Sequence, residues 1–269
     1  MSTSSAKTKT RSFWFVAYSL LIVMMGTNIP SPLYSLYGDM WGFSSGMATL
    51  LFSIYAMILV PTSLVFGQLS DQWGRKKILF IGILVACAGS LLFGLSQNVG
   101  MLLMSRAVQG LGVGVINGTA IATLAELRPE NKKLAALVAS VAIAIGTALG
   151  PLYAGLLAEY APFPIRLPYY LHVLLLIPAF LGVRATPETM TNTNSPKRLR
   201  MPNVPRDIRK PFLLAAFASI IAWSVAGFFM SLVPSFVAGL MDIDNLALSG
   251  AFVCLMLGCS TLSQIYLKS

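Results

Sequence analysis

The stretch GQLSDQWGRKK, Gly67 to Lys77, decides the fold. It places one acid, two glycines and three bases in eleven residues, in a chain with only 10% charged residues. Apolar runs flank it at 47–66 and 78–96. Each run is close to the ~20 residues a helix needs to cross a hydrocarbon core of ~30 Å. The stretch therefore reads as the connection between two membrane spans.

The same pattern continues in both directions. The 269 residues are 56% hydrophobic, and the mean hydropathy is +0.76. A soluble domain carries about 25% charged residues, so this chain lacks the polar material to cover a water-facing surface. Apolar runs near 13–37, 47–66, 78–96, 101–124, 134–157, 168–183, 212–237 and 246–267 predict eight spans. They must be helices, because lipid offers no partner to a free N–H or C=O. The short alternating strands of a membrane barrel are not seen. The predicted fold class is all-α integral membrane.

The formal charge of +10 raises the question of nucleic acid, and its placement answers it. Bases cluster before span one (Lys7, Lys9, Arg11) and after span two (Arg75, Lys76, Lys77). They cluster again after span four (Arg128, Lys132, Lys133) and after span six (Arg184 to Lys210), and Lys268 stands near the end. These positions hold 17 of the 19 Lys and Arg residues. An excess of Lys and Arg marks cytoplasmic connections. It predicts a cytoplasmic N-terminus and a multi-pass protein of a plasma or bacterial inner membrane, with the lipid bilayer rather than nucleic acid as its partner. Cys87, Cys254 and Cys259 all lie within spans. No Cys/His cluster predicts a metal site or a disulfide framework, and no motif predicts a cofactor or a nucleotide-driven pump. The apolar run after the N-terminal bases is too long for the core of a secretory leader and reads as a retained first span.

Most connections are short. The exception is 185–211, ATPETMTNTNSPKRLRMPNVPRDIRKP, which is polar, Pro-rich and basic. It divides a six-span unit (1–184) from two further spans (212–269) and reads as a cytoplasmic linker against anionic headgroups. The two units share spacing: Pro30-Ser31 precedes Gly46 by sixteen residues, and Pro234-Ser235 precedes Gly250 by sixteen. Internal repeats are common in transporters.

Within the opening stretch, the bases alone fit an ordinary cytoplasmic connection. Gly67, Asp71 and Gly74 need more. The glycines allow close approach and a tight turn, and Asp71 could meet the positive end of another helix. Here the chain resembles the major facilitator superfamily, whose connection between spans two and three reads roughly G-x-L-A-D-R-x-G-R-K. Gly67, Leu69, Asp71, Gly74, Arg75 and Lys76 match, while Ser70 replaces Ala and Gln72 replaces a base. LMSRAVQGLG resembles the family's span-four pattern through Leu102, Arg106, Gln109, Gly110 and Gly112. GTALGPLYAG resembles the span-five pattern of its exporters through Gly146, Gly150, Pro151 and Gly155, with Ala154 in place of one Gly. The resemblance implies a helical bundle of the major facilitator type: six spans, then the first two of a second bundle. It also implies a conformational latch at Gly67, Asp71, Gly74, Arg75 and Lys76, and a part for Arg106 in proton coupling.

Arg106 is the one base deep in a span, about 8 Å in at 1.5 Å per residue. A charge there either serves a function or snorkels to the interface. Gly110, Gly114, Gly118 and Ala122 follow at steps of four, a stripe that admits a close neighbour and turns Arg106 toward the bundle interior. Pro30 and Pro32 interrupt span one and free the carbonyls of Gly26 and Asn28. Asn28, Ser31 and Tyr34 become cavity candidates, with Gln109, Tyr55 and Asn117 beside them. Pro151 frees the carbonyl of Thr147, and Gly146, Gly150 and Gly155 allow packing around that bend. No Asp or Glu lies mid-span. The proton carrier is left among Asp39, Glu126 and Glu159 at span ends, His172, Arg106 acting indirectly, or a group elsewhere. For His172 a packing role is the simpler reading.

These features predict no enzyme. They predict a secondary transporter that moves a small amphipathic solute outward, coupled to protons, by alternating access. An uptake symporter and a truncated, non-transporting membrane protein are the alternatives. If the halves repeat, the counterpart of Gly67 falls at position 271, past Ser269. The resemblance to twelve-span relatives then predicts a chain short of about four spans that does not transport alone.

Overall fold

A computed structural model describes residues 3–42, 44–190, 204–221, 224, 225, 227 and 245–266. Most of 222–237 in the seventh predicted span, and 191–203 of the predicted linker, lie outside the described residues.

All described elements are helical. The first span is α1, Thr3–Asn28, followed by a short α2, Tyr34–Trp41. The break falls at the two prolines. Pro30 has no N–H for the Gly26 carbonyl, and Pro32 none for Asn28. The chain crosses the gap in tight turns, with Ser31 N donating to Asn28 O at 3.1 Å and Leu33 N to Pro30 O at 3.1 Å. Gly42, with φ 66°, closes α2 in the left-handed conformation.

Helices α3 (Ser45–Trp73) and α4 (Arg75–Gly94) follow. The opening stretch is therefore not an extended loop. Helix runs through Trp73, and the single residue Gly74 makes the whole turn with φ 94° and ψ 143°. No side chain adopts that φ comfortably.

Helix α5 is Val99–Leu127, α6 is Lys132–Tyr160 and α7 is Leu167–Ala185. Asn98 and Asn131 cap α5 and α6, accepting from Met101 N and Leu134 N at 2.9 Å each. Residues 209–221 form α8, and α9 is Leu246–Tyr266.

Six helices are long and apolar enough to cross a membrane, and a shorter apolar helix covers Leu246–Cys259. They correspond to the first six predicted spans and the eighth. Several outrun the predicted bounds: α3 has 29 residues where the apolar run had 20. Hydropathy marks the hydrocarbon layer, whereas backbone hydrogen bonding continues the helix into the interface.

The first span is the hub. Phe13, Val16 and Leu20 of α1 are fully buried among Leu79 and Ile83 (α4), Ile116 and Leu124 (α5), Ala135 and Ala139 (α6), and Leu176 and Val183 (α7). Large apolar side chains such as Leu84, Leu137, Leu174 and Leu181 point outward, as in a protein whose solvent is lipid.

Small residues decide how closely the helices meet. A Cβ on Gly110 would lie 2.5 Å from the Tyr55 carbonyl oxygen, and one on Gly114 2.8 Å from that of Leu59, both on α3. Added Cβ atoms on Gly146 and Gly150 would overlap the carbonyl oxygens of Leu21 and Met25 on α1. Gly155 meets Leu246, and Gly250 meets Pro151, where α6 and α9 cross. Two of the motif and stripe glycines differ. Gly67 and Gly118 have no heavy atom within 4 Å of a would-be Cβ, so the close contacts of the span-four stripe stop at Gly114.

Candidate functional site

Arg106 lies seven residues into α5 and is fully buried. It does not snorkel. Its Nε donates to Tyr34 Oη at 2.9 Å, and its Nη2 also contacts that hydroxyl. Its Nη1 donates to the Thr27 carbonyl at 2.8 Å and to Gln109 Oε1 at 2.6 Å. Four rings surround the guanidinium, those of Tyr34, Phe52, Tyr55 and Phe93, with centroids 5.5, 5.8, 5.7 and 5.7 Å away. Among the described residues it forms no ion pair.

The position of this cation follows from the broken helix. Without Pro30 N–H, the Gly26 carbonyl needs another donor, and Gln109 Nε2 supplies it at 2.7 Å. Ser31 N turns to Asn28 O, which leaves the Thr27 carbonyl to Arg106. The C-terminal end of α1 carries partial negative charge from such carbonyls. Arg106 and Gln109, one turn apart on α5, thus cap the end of α1, and the cation is balanced by dipoles and π faces rather than by a carboxylate.

A second proline is served in the same way. Pro151 in α6 leaves the Thr147 carbonyl open, and Asn28 Nδ2 donates to it at 3.1 Å. Asn28 is buried, and it ties the break in the first span to the bend in the fifth. Asn117 Oδ1 is buried with no hydrogen-bond partner among the described residues.

His172 is buried in α7. Its Nε2 lies 2.9 Å from the Ile22 carbonyl, and its Nδ1 2.8 Å from Ser90 Oγ. A carbonyl only accepts, so Nε2 carries the proton and Nδ1 accepts from the Ser90 hydroxyl. A Cβ on Gly26 would come within 2.6 Å of the ring. Both nitrogens are satisfied by a neutral imidazole held between three helices.

The other cluster lies where α3 meets α4. Arg75 is nearly buried and pairs with Asp71 Oδ1 at 2.5 Å and Glu126 Oε1 at 3.0 Å. Its Nη1 also reaches Ser70 Oγ. Asp71 does not cap a helix in the described residues. That role belongs to Glu188, just past α7, whose carboxylate accepts from Arg75 N at 2.8 Å and Lys76 N at 3.2 Å. The same carboxylate fills the space beside Gly74, where a Cβ would lie 2.5 Å from Oε2. Thr189 Oγ1 then donates to Glu126 Oε2 at 2.5 Å. At the far end of the bundle Glu159 accepts from Leu246 N at 2.9 Å and caps α9.

The sequence grouped Arg106, Gln109, Asn28 and Tyr34, and Asp71 with Arg75, and it kept Pro151 apart as a bend, which the structure joins to Asn28 through the Thr147 carbonyl. It missed Phe52, Phe93, Glu188 and Thr189. A signal existed for Glu188: it is an acid directly after span six, on the side otherwise crowded with bases. No pattern singles out Phe52 or Phe93 from the other apolar residues of their spans.

The six long apolar helices and the close small-residue contacts between them define a multi-pass helical membrane protein. The Major Facilitator Superfamily sequence model matches residues 16–268, and the chain belongs to that superfamily. It is 27% identical to the riboflavin transporter RibZ of Clostridioides difficile (strain 630) over 50% of this chain and 29% of that protein. It is 27% identical to the quinolone resistance protein NorA of Staphylococcus aureus (strain Mu50 / ATCC 700699) over 62% of this chain and 43% of that one.

Among solved structures it resembles a bacterial homolog of the human lysosomal transporter Spinster, inward-facing and unoccupied. That match has a TM-score of 0.68 at 13% identity, covering 93% of this chain and 60% of the other. The tetrameric PepTSo2 aligns with a TM-score of 0.60 at 16% identity over 97% and 54%. At these identities the structures speak for the fold alone. The chain spans less than two thirds of each of these four proteins.

Proposed function

We propose that the gene encoding this chain specifies a secondary transporter that exports a small amphipathic solute by alternating access, driven by an inward proton gradient. The observation that carries the reading is Arg106, a fully buried cation at the broken end of α1 with no carboxylate among the described residues. Its hydrogen-bond partners are neutral groups on α1, α2 and its own helix α5, and the rings around it stand on α2, α3 and α4. When the helices repack, a cation held by such partners changes its surroundings at modest cost, whereas a buried ion pair would have to be torn apart. Its field also opposes a second positive charge nearby, which gives protonation and solute occupancy a way to influence one another.

In this reading residues 1–184 form the first bundle, 185–211 the cytoplasmic linker and 212–269 the start of the second bundle, with the N-terminus cytoplasmic in a plasma or bacterial inner membrane. Gly67, Asp71, Gly74, Arg75 and Lys76 form the latch, joined by Glu126 and Glu188. Arg106, Gln109, Asn28 and Tyr34 form the coupling centre. Gly110, Gly114, Gly146, Gly150, Pro151 and Gly155 shape the packing and the bend. The names of the relatives mention quinolone resistance and riboflavin, and quinolones and riboflavin carry planar ring systems, which accords with an amphipathic solute meeting the aromatic side chains around Arg106.

The test uses everted vesicles from cells carrying the whole gene with its natural flanking sequence, and ethidium as the fluorescent solute. Energised vesicles are expected to accumulate the dye. An uncoupler should abolish the accumulation, as should Arg106→Ala. Accumulation that survives the uncoupler would rule out proton coupling. Accumulation only in right-side-out vesicles would instead support uptake.

A further inference from the structure

The groove between α4 and α7 lies at the end of the bundle that carries Gly74, away from Arg106. It has a volume of about 450 Å³ and is lined by Lys76, Lys77, Phe80, Ile81, Arg184 and Glu188. That volume falls in the range of about 300–1,000 Å³ common to ligand sites. Its chemistry is layered. Lys76 and Lys77 stand in the first turn of α4 and Arg184 in the last turn of α7. Phe80 and Ile81 lie one turn deeper, where Phe80 packs on Phe180 of α7 with ring centroids 4.2 Å apart. Half-exposed Trp73 lies beside the rim, with Lys77 Nζ 5.4 Å from its ring centroid. A basic rim, an apolar floor and an interfacial Trp are arranged along the direction in which a lipid stands in a membrane.

Among the described residues none of the three cations forms an ion pair. The single acid of the groove, Glu188, is already engaged: its carboxylate accepts from the backbone N–H groups of Arg75, Lys76, Thr189 and Met190. The residues that follow Glu188, 189–203, contain Lys197, Arg198 and Arg200 and no acid, so their sequence supplies no anionic partner for the rim. An occupant needs an anionic head for three bases and a hydrocarbon tail for Phe80 and Ile81.

We propose that this groove is a specific site for an anionic phospholipid of the phosphatidylglycerol class. The phosphate contacts Lys76, Lys77 and Arg184, and one acyl chain lies against Phe80 and Ile81. Basic pockets between membrane helices favour such headgroups, each base adding a similar increment of affinity. The site shares Lys76 and Glu188 with the Arg75 cluster, so the lipid head stands next to the turn at Gly74. The proposal is independent of transport, because its readout is lipid binding.

Native mass spectrometry of the purified full chain, titrated with phosphatidylglycerol or with phosphatidylcholine of the same acyl chains, tests it. Phosphatidylglycerol is expected to remain bound at energies that strip phosphatidylcholine. Lys77→Gln with Arg184→Gln should weaken phosphatidylglycerol binding about thirtyfold and leave phosphatidylcholine unchanged. Lys77→Arg with Arg184→Lys should retain binding, which separates lost charge from lost fold. Lys132→Gln with Lys133→Gln, removing equal charge from another connection, should change nothing. Millimolar glycerol phosphate should fail to displace the lipid. Equal retention of the two lipids would overturn the site. So would an equal loss in the Lys132/Lys133 variant, which would mean diffuse attraction, or displacement by glycerol phosphate, which would mean a site for soluble phosphates.

Discussion

Two arginines of this chain are buried to a similar degree and solve the same problem in opposite ways. Arg75, at 8% exposure, sits at the end of the bundle and is matched by the carboxylates of Asp71 and Glu126. Arg106, at 0%, sits inside and is matched by a helix terminus, an amide, a phenol and four rings. Near water an ion pair is cheap to form and cheap to break, which suits a contact that must open. Deep in the membrane, a cation held by neutral groups avoids desolvating a second ion. The location of each charge explains its partners.

The sharpest way to break the comparison is Arg106→Ala. It leaves the Thr27 carbonyl and Gln109 Oε1 without a donor, and each buried unsatisfied group costs about 1–3 kcal/mol. Thermal unfolding in detergent should show the loss, and ethidium flux should fall to background. Arg106→Lys keeps the charge but cannot serve all four contacts, so it should fall between. Flux at the wild-type level in the Ala variant would remove Arg106 from the coupling centre.

Next in size is Gly150→Ala, which drives a methyl group into the Met25 carbonyl. Overpacking of this kind costs about 1–3 kcal/mol. A midpoint unchanged in thermal unfolding would show that α1 and α6 separate more easily than the contact implies.

A double-mutant cycle sharpens the account of the prolines. Asn28→Ala should cost about 1–3 kcal/mol by orphaning the Thr147 carbonyl. In a Pro151→Ala background the restored N–H can take that carbonyl, and the cost should shrink. Additive effects would mean that the Asn28 to Thr147 bond contributes nothing specific.

Asp71→Asn tests the other arginine. The Asp71 side chain is 44% exposed, and Arg75 keeps Glu126, so stability should change by less than about 1 kcal/mol. Flux should nevertheless drop, because the pair is proposed to hold one conformation. Normal flux at normal abundance would leave the pair a surface ornament. Smallest of all is Gly118→Ala. With no atom within 4 Å of the new methyl group, it should stay within about 0.5 kcal/mol in the same unfolding assay. A large loss would show that another surface covers this face.

Much of the site could be read before the fold. Pro30 and Pro151 name the carbonyls they leave open by simple i to i−4 counting, and Arg106 stands out as the only base inside a span. What could not be read was which side chains would answer. Gln109 and Asn28 are polar residues among several, and the choice of Gln109 for Gly26 and Asn28 for Thr147 depends on how α1 lies against α5 and α6. The turn at Gly74 shows the same limit. Its glycines were legible, but the acid that closes it, Glu188, comes from more than a hundred residues away.

By itself, the sequence determined that the chain is a helical membrane protein, where most of its helices cross, where the first span breaks and which cation is trapped inside. Those properties follow from local chemistry: apolar length, the missing N–H of proline, and the cost of charge in lipid. Only the tertiary structure decided that the balance of Arg106 comes from carbonyls and rings, and that Glu188 rather than Asp71 caps α4. Each of these depends on which distant segments are brought within 3 Å, and a hydrogen bond of that length is fixed by packing rather than by spacing along the chain.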